Sequence, residues 1–447
     1  MKIDMKNYLL FLLLFVSFTG IKAQQAFSLE EAVNYAVQNQ NSIKLKHIEV
    51  SDANAQVKEY KSIGIPKLNA YVDYTRYIQI PTSVVPAEYF GGQVGEFAKI
   101  KFGTDNVLSG SLDFEALLFD GNYIQGLRAA KLYKILVAKD INVTVKQVKE
   151  NVTKAYLAVL IAQENLSIIE KNITNVEKTL RETKSIYENG FAEQLDVDRL
   201  QLSVDNLVTE QQNIDQLIQI SMNILKYQMG FPMNQTIALS EDLQTLVDLM
   251  QLSSVDLATE IQYTNRPEYD LLQASQDLNR VDLKRLKHGY LPSLKAFANH
   301  QQSLQRNELF NGKEPGLLPA TLAGLRMSIP LFDGNEKKSQ IQRVKLRMDK
   351  TAIQTEEFER GMELEVQNAR IQLRNAQNTL RLREKSLALN EDIYNKSLIK
   401  FQEGVGSSVE LRQAESSLYL AQSDYINSLY DLIIAKTNLD LAQGDLK

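Results

Sequence analysis

Two periodicities alternate along this chain. Between residues 107 and 119, "VLSGSLDFEALLF", apolar side chains recur at every second position. Leu108, Leu112, Phe114, Ala116 and Leu118 fall on one face, and Ser109, Ser111, Asp113 and Glu115 on the other. Residues 321–331 behave likewise, with Ala323, Leu325, Met327 and Ile329 opposed to Gly324, Arg326 and Ser328. Each has an upstream partner behind a proline: "LNAYVDYTRYIQI" from residue 68, after "IGIPKL", and the weaker "SLKAFANHQ" from 293, after "GYLPSL". A period of two with one apolar face predicts strands near 67–80, 107–119, 292–303 and 320–332.

After each of the second strands comes the same pentapeptide, LFDGN, at 118–122 and again at 331–335. The period then lengthens. Met362, Val366, Ala369, Leu373, Ala376, Leu380, Leu387, Tyr394, Leu398 and Phe401 step by three, four or seven, with Gln, Asn, Arg, Lys and Glu between them. That spacing predicts helices packed along a coiled-coil seam with a solvated outer face. Proline, which breaks helix interiors, is absent between residues 87 and 231 and again after 330. Between Gly121 and Gly190 the sole glycine is Gly126, and between Gly334 and Gly404 it is Gly361. A helix over about 122–189 would span roughly 100 Å at 1.5 Å per residue.

The chain therefore reads as one unit folded twice: helical lead-in, proline, strand, loop, strand, LFDGN, long helix, glycine turn, second helix. Setting Gly190 on Gly404 aligns 187–230 with 401–444 without a gap, ending Gly230 on Gly444. The predicted organisation is a first repeat over 24–230 with its helical hairpin at about 122–229, a connecting segment at 231–265, and a second repeat over 266–447 with its hairpin at about 335–445. The fold class is mainly α with a small β part.

The N-terminus changes the picture. Lys2 and Lys6 precede "YLLFLLLFVSF", and "TGIKA" follows. A basic start, a short apolar core and a small residue describe a secretory signal peptide, placed here at 1–23. The run is too short for a lasting transmembrane helix. A secreted chain with strands of about ten residues has the strand length of a membrane barrel. Four strands cannot close one, because the smallest such barrels have about eight, and an open edge is not viable in lipid. The chain is thus expected to pool strands with copies of itself.

Composition narrows the chemistry. There is no cysteine, which excludes disulfides, thiol catalysis and a lipidated N-terminal Cys. The formal charge is -5; the signal segment holds Lys2, Lys6, Lys22 and Asp4, so the remainder is near -7, the wrong sign for a nucleic-acid partner. His47, His288 and His300 lack metal-ligand spacing. No P-loop, nucleophile elbow or dinucleotide turn is found. No enzyme, cofactor or metal is expected.

A signal peptide, two copies of strand–LFDG–long helix and paired helical hairpins together resemble the TolC family of outer-membrane efflux and secretion channels. "FSLEEAVNYAVQNQNSIK" resembles that family's opening helix, with Ser28 and Glu31 spaced as a capping box. "NRPEYDLLQAS" at 265 resembles its counterpart in the second half, and "NGFAEQLDVDRLQ" and "EGVGSSVELRQAE" resemble the two hairpin tips. The likeness covers nearly the whole mature chain.

The resemblance implies a homotrimer in the outer membrane of a Gram-negative bacterium, whose twelve strands form one barrel in the lipid and whose helices form a periplasmic tube, an α-barrel. It implies passive export, driven by an inner-membrane pump of RND or ABC type through a periplasmic adaptor. The tips Asn189, Gly190, Phe191 and Glu403, Gly404, Val405 would dock the adaptor. The pore constriction would carry Asp196 and Glu410, six residues after each tip glycine, where the family keeps carboxylates. Here the sequence departs from the pattern: Gln413 replaces a further Asp, and Phe401 and Gly406 stand where the family has the Tyr and Arg of a closed-state lock. Two other classes fit part of the pattern. A periplasmic coiled-coil adaptor would need one hairpin and far more β-structure, and an extracellular coiled-coil scaffold leaves the alternating strands unexplained.

Overall fold

The computed structural model describes residues 25–249, 260–308 and 316–444. The predicted signal peptide at 1–23 lies outside them. In chain order the elements are β1 (Gln25–Phe27), α1 (Leu29–Asn39), α2 (Asn41–Ser62), β2 (Lys67–Arg76), β3 (Thr82–Pro86), β4 (Phe97–Lys101), β5 (Asn106–Phe119), α3 (Gly121–Glu188) and α4 (Gln194–Met229). There follow β6 (Ile237–Leu239), α5 (Leu243–Leu249), α6 (Pro267–His288), β7 (Ser293–Arg306), β8 (Leu318–Ser328), α7 (Glu336–Gln402) and α8 (Ser408–Gln443).

The duplication is visible in the lengths. Helices α2 and α6 have 22 residues each, α3 and α7 have 68 and 67, and α4 and α8 have 36 each. It is visible in the ends as well. The Asp of each LFDGN caps the helix that follows. Asp120 Oδ1 accepts the Tyr123 N–H at 3.0 Å, and Asp333 Oδ2 accepts the Lys337 N–H at 3.2 Å. A capping carboxylate satisfies a backbone donor that the helix leaves open. At the far ends, Gly230 and Gly444 both adopt left-handed φ, +68° and +81°. A Cβ on either would strike backbone, 3.0 Å from the Asn39 oxygen or 2.7 Å from the Asn265 oxygen. The repeated pentapeptide is thus a helix-start signal used twice.

Contacts divide the chain across the repeats rather than between them. Among the described residues, one unit falls within 1–48, 138–270 and 355–447, and the other within 49–137 and 271–354. Each unit takes matching parts of both halves, because corresponding elements of the two repeats pack side by side.

In the first unit, Val152, Tyr156, Leu157 and Val159 of α3 pack with Leu225 and Met229 of α4, Ile433 of α8 and Ala32 and Ala36 of α1, all buried. Full burial of each large aliphatic is worth about 1.5–3 kcal/mol. The predicted seam on α7 is present: Met362, Val366, Ala369, Leu373 and Ala376 pack on Leu432, Ala435 and Leu439 of α8. The capping box of Ser28 and Glu31 is closed in both directions. Arg266, 5% exposed, bonds Glu268, Glu365 and the Ala442 carbonyl, and so ties the start of the second repeat to α7 and the end of α8. A parallel pairing of β1 with β6 was not foreseen; three-residue strands carry no periodicity.

The second unit holds an antiparallel four-stranded sheet in the order β2-β5-β7-β8. The strand boundaries shift from those expected. β2 ends at Arg76, where the Tyr77 N–H turns to the Asp105 carbonyl at 2.7 Å. β7 runs on to Arg306, and β8 spans Leu318–Ser328, stopping before Pro330, which has no N–H to give. The connection from β2 to β5, expected as a loop, contains a further hairpin, β3 with β4.

Candidate functional site: the strand wall and the hairpin tips

Among the described residues no helix is long and apolar enough to cross a membrane. The sheet has the opposite character. Cross-strand register places Leu68, Phe114, Ala298 and Ala323 in one row and Ala116, Ala296 and Leu325 in another. On this face Leu68 is 68% exposed, Val72 79%, Leu112 48% and Leu325 67%. Such exposure of large apolar side chains along one sheet face, around a buried Ala116, is a surface seeking an apolar medium. The other face carries the sheet's paired polar and charged groups, with Tyr71 and Leu322 interspersed among them. Asn69, Asp113 and Asn299 share a row, and Asn299 Nδ2 donates to Asp113. Lys295 pairs with Glu115 at 2.6 Å, and Arg326 lies over the Phe297 ring at 5.0 Å. Toward the end away from the helices the apolar face is interrupted by His300, which shares a 2.7 Å hydrogen bond with Thr321.

The tips are built in the first unit. Both tip glycines are left-handed, Gly190 at φ +81° and Gly404 at φ +72°. At the first tip the Phe191 N–H returns to the Ile186 carbonyl at 3.0 Å, and at the second the Val405 N–H returns to the Lys400 carbonyl at 3.0 Å. These 6→1 bonds satisfy carbonyls that a helix end leaves free. Phe191 and Val405 project into solvent, 85% and 80% exposed, beside exposed Asn189 and Glu403.

The predicted carboxylates sit on the first turns beyond these tips. Asp196 lies 3.7 Å from Arg199, whose Nη1 donates to Ser408 Oγ at 2.8 Å and joins the first hairpin to the second. The Glu410 N–H is capped by Ser407 Oγ, and its carboxylate meets Lys400 Nζ at 3.2 Å. Gln413 is exposed one turn on. Phe401 is half-buried against Val176, Leu200, Val204 and Leu207. At Gly406 a Cβ would fall 3.0 Å from the Phe401 nitrogen. Neither position carries a polar side chain.

Sequence reasoning missed Arg199, Lys400 and Glu415. Glu415 is 3% exposed, accepts from Ser203 Oγ at 3.2 Å and from the Tyr419 hydroxyl at 2.6 Å, and forms no ion pair among the described residues. Burial raises its carboxyl above the ordinary range. The nearby Tyr394 phenol is pushed up to about 12 by burial and by Glu415. The signal existed: Leu411, Ala414, Leu418 and Ala421 are buried seam positions around it.

Comparison with known proteins agrees with this geometry. The model of the family described as "Outer membrane efflux protein" matches residues 32–230 and 264–445. The outer membrane protein TolC of Vibrio cholerae is 23% identical over 297 residues, 66% of this chain and 67% of that one. The alkaline protease secretion protein AprF of Pseudomonas aeruginosa is 20% identical, covering 75% of this chain and 69% of its own. The CmeC outer membrane channel of Campylobacter jejuni superposes with a TM-score of 0.71 at 16% identity, over 93% of this chain and 85% of that one. With its apolar strand wall and its two long hairpins, the chain belongs to the outer membrane efflux protein family, transport channels rather than enzymes, and is an outer-membrane export channel whose helical part lies in the periplasm.

Proposed function

We propose that three copies of this chain close one twelve-stranded barrel and one helical tube, through which cargo passes from the periplasm to the exterior. The observation that carries this reading is the sheet with both edges open: among the described residues β2 and β8 each pair on one side alone. Unpaired strand edges have no partner in lipid, so the edges of neighbouring copies must meet. Helix faces support the same assembly. On α7, Leu364, Ile371, Leu382 and Leu389 are about 60% exposed, and on α4 so are Leu202, Leu217 and Ile220 at 51–57%. Steps of 7 and 11 keep the α7 residues at one azimuth of a 3.6-residue helix, and this stripe is the side of α7 left free by α8.

In this reading the halves 24–230 and 266–447 each give the assembly two strands and one hairpin. The tips at Asn189–Phe191 and Glu403–Val405 dock a periplasmic adaptor, and an inner-membrane pump of RND or ABC type supplies the energy. Asp196, Glu410 and Gln413 line the constriction. The chain has no native cysteine, which makes the test clean. With Tyr71→Cys on β2 and Leu322→Cys on β8, oxidation should give covalent trimers from outer-membrane fractions. Within one chain β5 and β7 separate the two strands, so a monomer with an internal crosslink would overturn the reading.

A further inference from the structure

The four strands of the sheet all run into helices at the same end. α2 leads into β2, β5 into α3, α6 into β7 and β8 into α7. Three zones succeed one another along that direction, all within the second unit. The sheet presents its exposed apolar face. At the junctions a girdle of large apolar side chains stands in solvent, including Ile65, Phe119, Tyr290, Leu291, Leu331 and Phe332, with Leu331 93% and Phe332 84% exposed. Just beyond it the helices turn basic. Residues 280–292 hold four Lys or Arg against one acid, residues 333–350 six against three, and residues 58–67 and 120–134 three against one each, in a chain whose net charge is -5. Apolar wall, aromatic and aliphatic girdle, then a cationic belt is the profile of a membrane interface.

The belt contains a built groove. Between α6 and α7 a cavity of about 600 Å³ is lined by Arg285, Arg343, Arg347 and Lys350 over a floor of Leu286 and Val344. The floor is buried, 7% and 1% exposed. Asp282 is the one acidic residue of the lining, and it holds both Arg285 and Arg347 at 2.8 Å. Arg343 and Lys350 face the same space and form no ion pair among the described residues. Cations over an apolar floor, from about two helical turns (Arg343) to about four (Lys350) into α7 from its girdle end, match a phosphate head whose acyl chains run up toward the girdle. Guanidinium groups bind phosphate oxygens in paired hydrogen bonds, and juxtamembrane Lys and Arg are drawn to anionic lipid surfaces.

We infer that this belt rests on the periplasmic-leaflet headgroups of the outer membrane and that the groove holds the headgroup of an anionic phospholipid. The inference rests on the barrel reading of the sheet. It adds a lipid specificity: the channel prefers an anionic to a zwitterionic headgroup at this level.

The test uses the full-length assembly in detergent, exchanged with mixed phosphatidylethanolamine and phosphatidylglycerol micelles and examined by native mass spectrometry. Phosphatidylglycerol should be retained in preference, and retention should weaken as salt shortens the screening length. The pair Arg343→Gln and Lys350→Gln should lose at least about tenfold in retained phosphatidylglycerol. Lys178→Gln and Lys396→Gln, far along the hairpins, should lose none. The oligomer's mass, read in the same spectrum, separates lipid loss from disassembly. Equal retention of the two lipids, an unchanged double variant, or full displacement by millimolar inorganic phosphate would overturn the inference while leaving the channel reading intact. Failure of the wild type to assemble would sink the barrel reading instead.

Discussion

Lys400 and Glu410 meet across the second hairpin turn, Nζ to Oε1 at 3.2 Å, with Gly404 between them in the chain. Both side chains are about half exposed, 57% and 49%, so the pair is worth at most about 1 kcal/mol and leaves the carboxylate open to mobile ions. In a threefold ring the three carboxylates would concentrate cations in a narrow, poorly screened space, and the three lysines would oppose them. Glu410→Gln should therefore reduce cation preference, and Lys400→Gln should increase it. Reversal potentials in planar bilayers under a salt gradient read both. Shifts of the same sign, or none, would remove Glu410 from the constriction.

Gly404→Val isolates the tip. No heavy atom lies within 4 Å of a Cβ built there, so the whole penalty is conformational. A left-handed φ costs an ordinary residue about 1–2 kcal/mol, and a β-branched one more. The turn should distort while the strand wall, in the other unit, assembles as before. The expected outcome is a normal yield of oligomer in the outer membrane with export largely lost. Undiminished export would move adaptor docking away from Glu403–Val405.

Most of the fold was legible because it is periodic. The 68-residue helix expected at 122–189 is found at 121–188, since the absence of proline and the glycine turn mark both ends. What escaped has no period. Lys400 and Glu410 are ten positions apart, a spacing that no helix pairs, and they meet because the chain reverses between them. Arg199 and Ser408 lie in different repeats, so their contact depends on how the hairpins pack. The β3–β4 hairpin hid in a stretch where prolines and glycines argued for a loop. "NRPEY" resembles a family motif, but the burial of Arg266 and its three partners depend on how the entry to the second repeat packs on α7 and α8.

Leu112 and Ser111 are neighbours on β5 that point to opposite faces. Leu112 lies in a row with Ala70 and His300, and Ser111 with Tyr71 and Gln301. An Arg on the lipid face costs about 2–4 kcal/mol at mid-membrane, and far less on a polar interior. Leu112→Arg should lower the amount of heat-sensitive oligomer in the outer membrane well below that of Ser111→Arg, as read on unheated gels. Equal tolerance would contradict the assignment of the faces.

Glu415 makes stability depend on pH in an unusual direction. Burial raises its carboxyl, with Tyr419 and Ser203 pulling the other way and Arg412 assisting them. The titratable and charged groups around it are Arg412 and Tyr419 from α8 and Tyr394 from α7, while α4 offers the neutral Ser203. A carboxyl whose native pKa exceeds its unfolded one binds more protons when folded. Its contribution is therefore favourable below the unfolded pKa and is lost as pH rises through the native one. Glu415→Gln removes that loss and keeps an oxygen to accept from Ser203 or Tyr419. The variant should match the wild type near pH 4 and unfold at a higher temperature near pH 8, in thermal unfolding of the detergent-solubilised protein followed by circular dichroism. A wild-type advantage at pH 8 would mean that the ionised carboxylate stabilises the hairpins, and that its bonds to Ser203 and Tyr419 outweigh its burial.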